Sequence, residues 1–179
     1  MTEEVAIRDE TAADVDEIEA ITAAAFADME ISDHTEQYMI AGLRAAGALT
    51  VSLVAERDGQ VIGHVAFSPV GMSDGSAGWY GLGPVSVVPE YQRQGIGRAL
   101  ITEGLARLRA LGARGCCVVG HPGYYGRFGF ENVEGLGLEG VPREAFFALA
   151  FEGEVPRGAV VFHEAFWSAG PDSSPAPAP

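Results

Sequence analysis

The chain of 179 residues lacks lysine altogether, and it contains only two cysteines and four histidines. The cysteines, Cys116 and Cys117, are neighbours in a predicted strand, so their side chains point to opposite faces and cannot easily form a disulfide. We expect cytosolic thiols that pack as small apolar groups. The histidines are scattered along the chain, so no metal-ligand spacing occurs and no metal is expected.

Long apolar runs are also missing, since none approaches the roughly 20 residues needed to cross a bilayer. The first four residues include two glutamates and no basic residue, whereas the start of a secretory leader is basic. We therefore expect a cytoplasmic protein with no membrane partner. The 179 residues, 47% of them hydrophobic, suffice for one substantial core. This favours a single domain over residues 1–169, followed by a disordered tail rich in proline, alanine and serine over residues 170–179.

Positive charge is concentrated in one segment of an otherwise acidic chain. Residues 91–130 hold six of the eleven arginines and one acidic residue, Glu103. This segment therefore carries +5, which leaves −19 for the remainder of a chain with a formal net charge of −14. The six are Arg93, Arg98, Arg107, Arg109, Arg114 and Arg127. An acidic protein that gathers positive charge in this way typically binds a polyanion.

A glycine-containing motif opens this basic segment, directly after an apolar strand over residues 83–88. The motif reads Gln92-Arg93-Gln94-Gly95-Ile96-Gly97-Arg98 and leads into an amphipathic helical pattern. Gly95 and Gly97 remove side chains where the first N–H groups of a helix are still unpaired, so an anion can approach them closely. The pattern predicts a cradle for the diphosphate of a cofactor. The alternative is an ordinary strand-to-helix turn with solvated arginines.

Two segments carry a resemblance to a known family. Residues 85–100 resemble the acyl-CoA signature of the GNAT superfamily of N-acyltransferases, an apolar strand followed by Gln/Arg-x-x-Gly-x-Gly/Ala. Tyr125-Gly126-Arg127-Phe128-Gly129-Phe130 resembles the family's Tyr-x-x-x-Gly-Phe segment after the fifth strand. Residues 63–70 and 120–125 look like its YhbS-like branch. The resemblance extends over roughly residues 5–166.

This resemblance implies an α/β (α+β) fold with a GNAT-like mixed, mostly antiparallel central sheet of about seven strands, flanked by about four helices. The sequence patterns agree with that fold. Asp58-Gly59 lies between two strand-like runs and predicts a two-residue hairpin turn. Residues 115–120 predict a buried strand that runs parallel to its neighbour after the helical crossover.

The resemblance also implies an activity, the transfer of an acetyl group from acetyl-CoA (coenzyme A), as co-substrate, to a primary amine. The amine would attack directly through a tetrahedral intermediate, without a metal. By position in the motif, the backbone N–H of Val87 would stabilise the oxyanion. Tyr125 would donate a hydrogen bond to the departing thiolate, because full proton transfer is uphill by about 1.5 pKa units. The cofactor-binding residues would be Val85, Ser86, Val87, Gln92, Arg93, Gln94, Gly95, Ile96, Gly97 and Arg98.

Several alternatives stay open at this point. If Pro122 opens a helical turn, only one of Tyr124 and Tyr125 can face the sulfur, and both could instead simply pack. His64 and Glu90 are weak candidates for a base, since a structural histidine and a solvated carboxylate explain them as well. No base can be named.

The acceptor that the resemblance implies is a small-molecule or peptide amine, and we expect the acidic remainder of the chain to favour a cationic one. An acyl-CoA-binding sensor without transferase activity is the alternative function. A nucleic-acid module is disfavoured, because no reading motif accompanies the arginines and the overall charge is repulsive. Both a monomer and a homodimer are compatible with the sequence.

Overall fold

The computed structural model describes residues 4–28, 34–121 and 123–167. Pro122 and the predicted tail over residues 170–179 lie outside this description. The strands are β1 (Ala6–Asp9), β2 (Val51–Arg57), β3 (Gln60–Met72), β4 (Trp79–Val87), β5 (Gly115–Val119), β6 (Leu136–Gly137), β7 (Phe146–Ala150) and β8 (Gly158–Phe162). The helices are α1 (Val15–Phe26), α2 (Glu36–Ala45) and α3 (Ile96–Ala110). The predicted mixed fold is confirmed, with eight strands in the described ranges where about seven were expected. The described residues contain three α-helices where about four were expected.

The sheet is antiparallel except at two places. Its main path runs β1-β2-β3-β4-β5-β7, and β8 pairs both with the end of β3 and with β6. The β4–β5 pair is parallel, as the sequence predicted, and so is the short β6–β8 pair. A parallel neighbour requires a crossover connection, which α3 supplies between β4 and β5.

The β2–β3 hairpin turns at the two residues that predicted it. Asp58 has φ 53° and Gly59 has φ 79°. Two successive positive φ angles are the mark of a type I′ turn, whose twist matches that of the flanking strands. The Asp58-Gly59 pair therefore predicted this turn correctly.

Helices cover both faces of the sheet. On one face, α3 buries Leu100, Ile101 and Leu108 against the strands, in a cluster that also contains Phe67. Gly104 makes this packing possible, because a Cβ at that position would overlap the Phe67 ring. None of the helices in the described part of the chain is long and apolar enough to cross a membrane.

The opposite face packs against α1 and α2. Ile18 and Ile40 from these helices are buried with Val54 of β2 in a separate cluster. The two cysteines divide between the faces as strand alternation predicted, with Cys116 in the α3 cluster and Cys117 in a cluster on the other side. Both thiols are free and buried, and burial raises the pKa of Cys117 to about 12. They are packing groups.

Candidate active site

A gap in the sheet between β4 and β5 forms the centre of the candidate site. The two strands pair at three positions, Trp79–Gly81 with Gly115–Cys117. Beyond these positions β4 continues to Val87 beside β3, while β5 continues to Val119 beside β7. The two halves of the sheet therefore separate, and one edge of each strand faces the gap.

The backbone of β4 turns polar groups into this gap. Val88 donates its N–H to the carbonyl oxygen of Ile62 at 2.9 Å, and the register places Ser86 opposite His64 and Val87 opposite Gly63. Hydrogen-bonded and non-hydrogen-bonded pairs alternate along an antiparallel ladder. Ser86 therefore points its backbone groups at β3. The N–H and C=O groups of Val85 and Val87 point away from β3, towards the gap.

The turn that leads into α3, residues 92–98, presents the unpaired first amides of the helix. Gly95 precedes the helix with φ 85°, in the left-handed region that favours glycine. The first helical hydrogen bond runs from the Ala99 N–H to the Gly95 carbonyl at 3.0 Å. The N–H groups of residues 95–98 come before it, so they have no partner within the helix. They lie at the positive end of the helix dipole, which favours an anion.

Open space surrounds these amides. A Cβ built on Gly95 would meet nothing within 4 Å. A Cβ on Gly97 would meet the Tyr124 hydroxyl oxygen at 3.5 Å and Cγ2 of Val87 at 3.9 Å, both ordinary contact distances. A side chain at either position would thus occupy space that a ligand can use.

Two glutamines hold the turn in shape. Nε2 of Gln92 donates to the carbonyl oxygen of Val87 at 3.0 Å, and Nε2 of Gln94 donates to that of Glu90 at 3.2 Å. Because Gln92 already occupies the Val87 carbonyl, the Val87 N–H is the group that this residue offers to the gap. Arg93, between the glutamines, has φ 63°. A non-glycine residue in the left-handed region carries backbone strain of the kind that clusters at functional sites.

A cleft of about 1000 Å³ passes through the gap. Its lining includes Arg93 and Gly97 at the α3 turn, and Phe26 and Met39 from α1 and α2. These helices pack on opposite faces of the sheet, so the cleft connects the two faces. We call its two mouths the α3 end, at residues 92–98, and the α1–α2 end, at Phe26, Glu36 and Met39.

Two adjacent tyrosines follow β5 and line the cleft. Their rings meet edge to face, with centroids 5.0 Å apart and an interplanar angle of 88°. The Tyr124 hydroxyl reaches towards Gly97 at the α3 end, and the Arg127 guanidinium lies 4.7 Å from the Tyr124 ring centroid. The tyrosines diverge as the sequence suggested, and Tyr124 belongs to the α3 turn.

Tyr125 is held by packing on several sides. Its ring contacts Phe130 and Phe147, with centroid distances of 6.0 and 6.2 Å. A Cβ at Gly120 would overlap the same ring. Burial raises the pKa of Tyr125 to about 12, since a phenolate would be poorly solvated there. The phenol therefore stays protonated, and able to donate a hydrogen bond, across the physiological pH range.

Most of the residues predicted from the sequence meet in this one cleft. Those that line it are Val85, Val87, Gln92, Arg93, Gly95, Ile96, Gly97, Arg98 and Tyr125. Ser86 and Gln94 do not. Ser86 is 1% exposed, with its side chain on the opposite face from those of its two neighbours. Nε2 of Gln94 instead donates to the carbonyl oxygen of Glu90, just before the turn.

Among the described residues, the weaker candidates lie away from the cleft. His64 is completely buried, with Nε2 2.7 Å from the Ser52 hydroxyl oxygen. Burial lowers the pKa of His64 to about 3, so this side chain is a structural residue and not a base at neutral pH. Glu90 does not line the cleft, and no described group of three histidine, cysteine or acidic side chains could hold a metal ion.

The resemblance pointed to residues 26–46 and the last strands for the acceptor pocket, but sequence reasoning singled out no individual residue at the α1–α2 end. Glu36 and Met39 come from α2, Phe162 from β8, and Phe166 from the 3-10 turn that follows it. No shared motif marks them, because they come from elements that are far apart in the sequence, and Phe162 is placed by the pairing of β8 with the end of β3. Ser86, in contrast, could have been excluded from the predicted cofactor-binding residues. Neighbouring residues of a strand point in opposite directions, so Ser86 cannot face the same way as Val85 and Val87.

Comparisons with known proteins identify relatives of this chain. A family model for the GNAT acetyltransferase domain matches residues 49–132. The N-acetyltransferase YhbS of Escherichia coli (strain K12), itself described as uncharacterized, is 44% identical over 97 residues, which are 54% of this chain and 58% of that protein. This alignment thus spans little more than half the length of the curated relative.

Two solved structures match over most of the fold. A GNAT family acetyltransferase from Brucella melitensis, in complex with acetyl-CoA, is 49% identical, with 92% of this chain and 99% of that chain covered and a TM-score of 0.82. Escherichia coli YhbS, in complex with CoA, is 35% identical, with 95% and 96% covered and a TM-score of 0.85. The chain therefore belongs to the GNAT family of acetyltransferases.

Proposed function

We propose that this protein transfers an acetyl group from acetyl-CoA to the primary amine of an acceptor. The observation that carries the proposal is the single cleft in which the free amides of the α3 turn adjoin the outward-facing backbone of Val85 and Val87. The acetyl-CoA and CoA complexes of the two similar proteins support it. A single domain over residues 1–169 and a cytoplasmic location are part of the same proposal.

The α3 end suits the diphosphate of coenzyme A. The amides of residues 95–98 would donate to phosphate oxygens, and Arg93 and Arg98 line the same end of the cleft with positive charge. The N–H and C=O groups of Val85 would bind the amides of the pantetheine arm, as one strand binds another. This chain therefore supplies both a phosphate site and a main-chain edge for the arm.

The bound thioester supplies the acetyl group, which the amine of the acceptor attacks directly. The Val87 N–H would donate to the thioester oxygen as negative charge develops on it. Tyr125 would donate a hydrogen bond to the departing sulfur. With a pKa near 12 against about 8.5 for a thiol, complete proton transfer is uphill by about 3.5 units, or about 5 kcal/mol. Hydrogen-bond donation is thus the role that this phenol can perform.

Removal of a proton from the acceptor has no dedicated residue in this proposal. An alkylammonium has a pKa of about 10.4, so formation of the neutral amine costs about 4.6 kcal/mol at pH 7. His64 is buried, away from the cleft, and its pKa is about 3. We propose that water in the open cleft accepts this proton.

Acetyl-CoA titration into the wild-type protein and Gly97→Ala tests the proposal. The new Cβ makes only ordinary contacts, so the fold is retained, but it stands where the diphosphate would approach. Loss of one charge-assisted amide–phosphate hydrogen bond should weaken binding about 10-fold to 100-fold by calorimetry. Gly137→Ala is the matched control, because its Cβ likewise overlaps no neighbour, with nothing within 4 Å, and it does not line the cleft.

The outcomes separate the possible functions. Absence of acetyl-CoA binding by the wild type, or equal affinities of wild type and Gly97→Ala, would contradict the assignment of the α3 turn. Binding without thiol release in the presence of any amine would favour an acyl-CoA sensor.

A further inference from the structure

The α1–α2 end of the cleft has apolar walls. Phe26 and Met39 are half-buried there, and so is Phe166, although all three are large apolar side chains. Phe166 packs against Phe162, with ring centroids 4.9 Å apart. Partly exposed apolar surface gathered inside a cleft is a site for an apolar ligand group.

These walls reach the point where the sheet opens. A Cβ at Gly81 would overlap the Phe162 ring, and Gly81 belongs to the last position at which β4 pairs with β5. Leu138 and Val141 line the cleft and belong to the same apolar cluster as Phe162. An apolar group held here would therefore adjoin the gap that carries the backbone of Val85 and Val87.

Charge is distributed unequally along the cleft. Arg93, Arg98 and Arg127 line it, and the first two belong to the α3 turn. Glu36, in the first turn of α2, is the one acidic side chain among the described lining residues. A cationic group is thus attracted by the α1–α2 end and repelled by the α3 end.

We infer that the acceptor is a monoamine carried on an apolar body, and that Glu36 is the specificity-determining residue that binds its ammonium form. The inference rests on the proposed function and names its substrate class. An alkylamine is almost entirely protonated at neutral pH, so it arrives as the ion that a half-buried carboxylate binds. The amine then loses its proton to water before attack, so Glu36 acts in recognition and not as the base.

The same walls disfavour other amines. A polyamine, a lysine side chain in a peptide or an amino sugar would place further polar groups against Phe26, Met39 and Phe166. Burial of a polar group without a hydrogen-bond partner costs about 1–3 kcal/mol in proteins. A second ammonium directed along the cleft would meet the arginines of the α3 end.

The test compares 2-phenylethylamine, spermidine and Nα-acetyl-lysine amide, whose side-chain amine is free, as acceptors. Thiol release is the assay. Wild type should acetylate 2-phenylethylamine with a kcat/KM at least about tenfold above the other two, from the cost of one buried polar group. Glu36→Gln should raise the KM for 2-phenylethylamine about 10-fold to 100-fold, with a smaller effect on kcat and none on the KM for acetyl-CoA. Glu36→Asp should recover part of the loss.

Aniline separates recognition of charge from a structural effect, because it is apolar and uncharged at neutral pH. Its KM should be the same for wild type and Glu36→Gln. Glu19→Gln is the matched control, since it removes the same charge from an exposed position on α1 outside the cleft. Its KM values should equal those of the wild type.

Preference for spermidine or the lysine amide would overturn the inference while leaving the proposed acetyltransferase intact. Equal losses for 2-phenylethylamine and aniline in Glu36→Gln would overturn the role of the carboxylate. Binding of acetyl-CoA with no transfer to any of these amines would overturn the proposed function and this inference together.

Discussion

Replacement of Tyr125 by phenylalanine isolates the hydrogen bond that this phenol would give to the leaving sulfur. The ring contacts with Phe130 and Phe147 persist in the variant, and so does the contact at Gly120. Only the hydroxyl is lost. We therefore expect a folded protein with the acetyl-CoA affinity of the wild type and a lower kcat.

The size of the loss follows from the state of the phenol. With a pKa near 12 it is protonated at all working pH values, so it donates a hydrogen bond and does not transfer its proton completely. A hydrogen bond to a charged group contributes about 1.5–3 kcal/mol, which corresponds to about a 10-fold to 150-fold fall in kcat. Proton donation as a full step would instead produce a larger loss and an alkaline limb in the rate profile.

Thiol release, measured from pH 6 to pH 10 with a saturating amine, gives the required kcat values. The ratio of wild type to Tyr125→Phe should be constant over this range, because the phenol does not titrate within it. Tyr124→Phe is the control, since that hydroxyl lies at the α3 end, beside Gly97, and its loss should act on the KM for acetyl-CoA. An unchanged kcat in Tyr125→Phe, or an equal fall in Tyr124→Phe, would refute the assignment.

Two further predictions concern the scaffold. Gly104→Ala should lower the free energy of unfolding, measured by urea denaturation, by about 1–3 kcal/mol, because its Cβ would overlap the buried Phe67 ring. A change below about 0.5 kcal/mol would contradict this packing. His64 has a folded pKa of about 3 against 6.5 when unfolded, so protonation of the unfolded chain should cost the wild type about 2 kcal/mol of stability between neutral pH and pH 5. His64→Gln should remove that part of the pH dependence, and equal slopes for the two proteins would show that the histidine is solvated.

The α3 turn was predictable because its signal is local. The glycines of the motif and the strand and helix beside them lie within a short stretch of chain, and Pro89 separates the two elements. The hairpin at Asp58 and Gly59 was predictable for the same reason, since two residues determine its backbone angles. The arrangement of the sheet around them was expected from the resemblance to the GNAT family.

The α1–α2 end of the cleft could not be predicted in this way. Glu36 and Phe162 line the same cleft although they are far apart in the sequence, and Phe162 reaches it because β8 returns to pair with the end of β3, where Val70 lies opposite Phe162. Neither residue stands out in its own segment, since a glutamate at a helix start and a phenylalanine in a strand are both ordinary. Contacts between distant segments bring these residues to one cleft, and a single sequence does not show which distant segments pair.

The main-chain groups of β4 at the gap are independent of the side chains around them. Any residue other than proline at positions 85 and 87 would present the same amide and carbonyl, so valine there can be exchanged for residues of other sizes without loss of the main-chain edge that faces the gap. An insertion or deletion of one residue in this stretch would be far more damaging. It would rotate the strand by half a period, turn these groups towards β3, and expose those of Ser86 in their place.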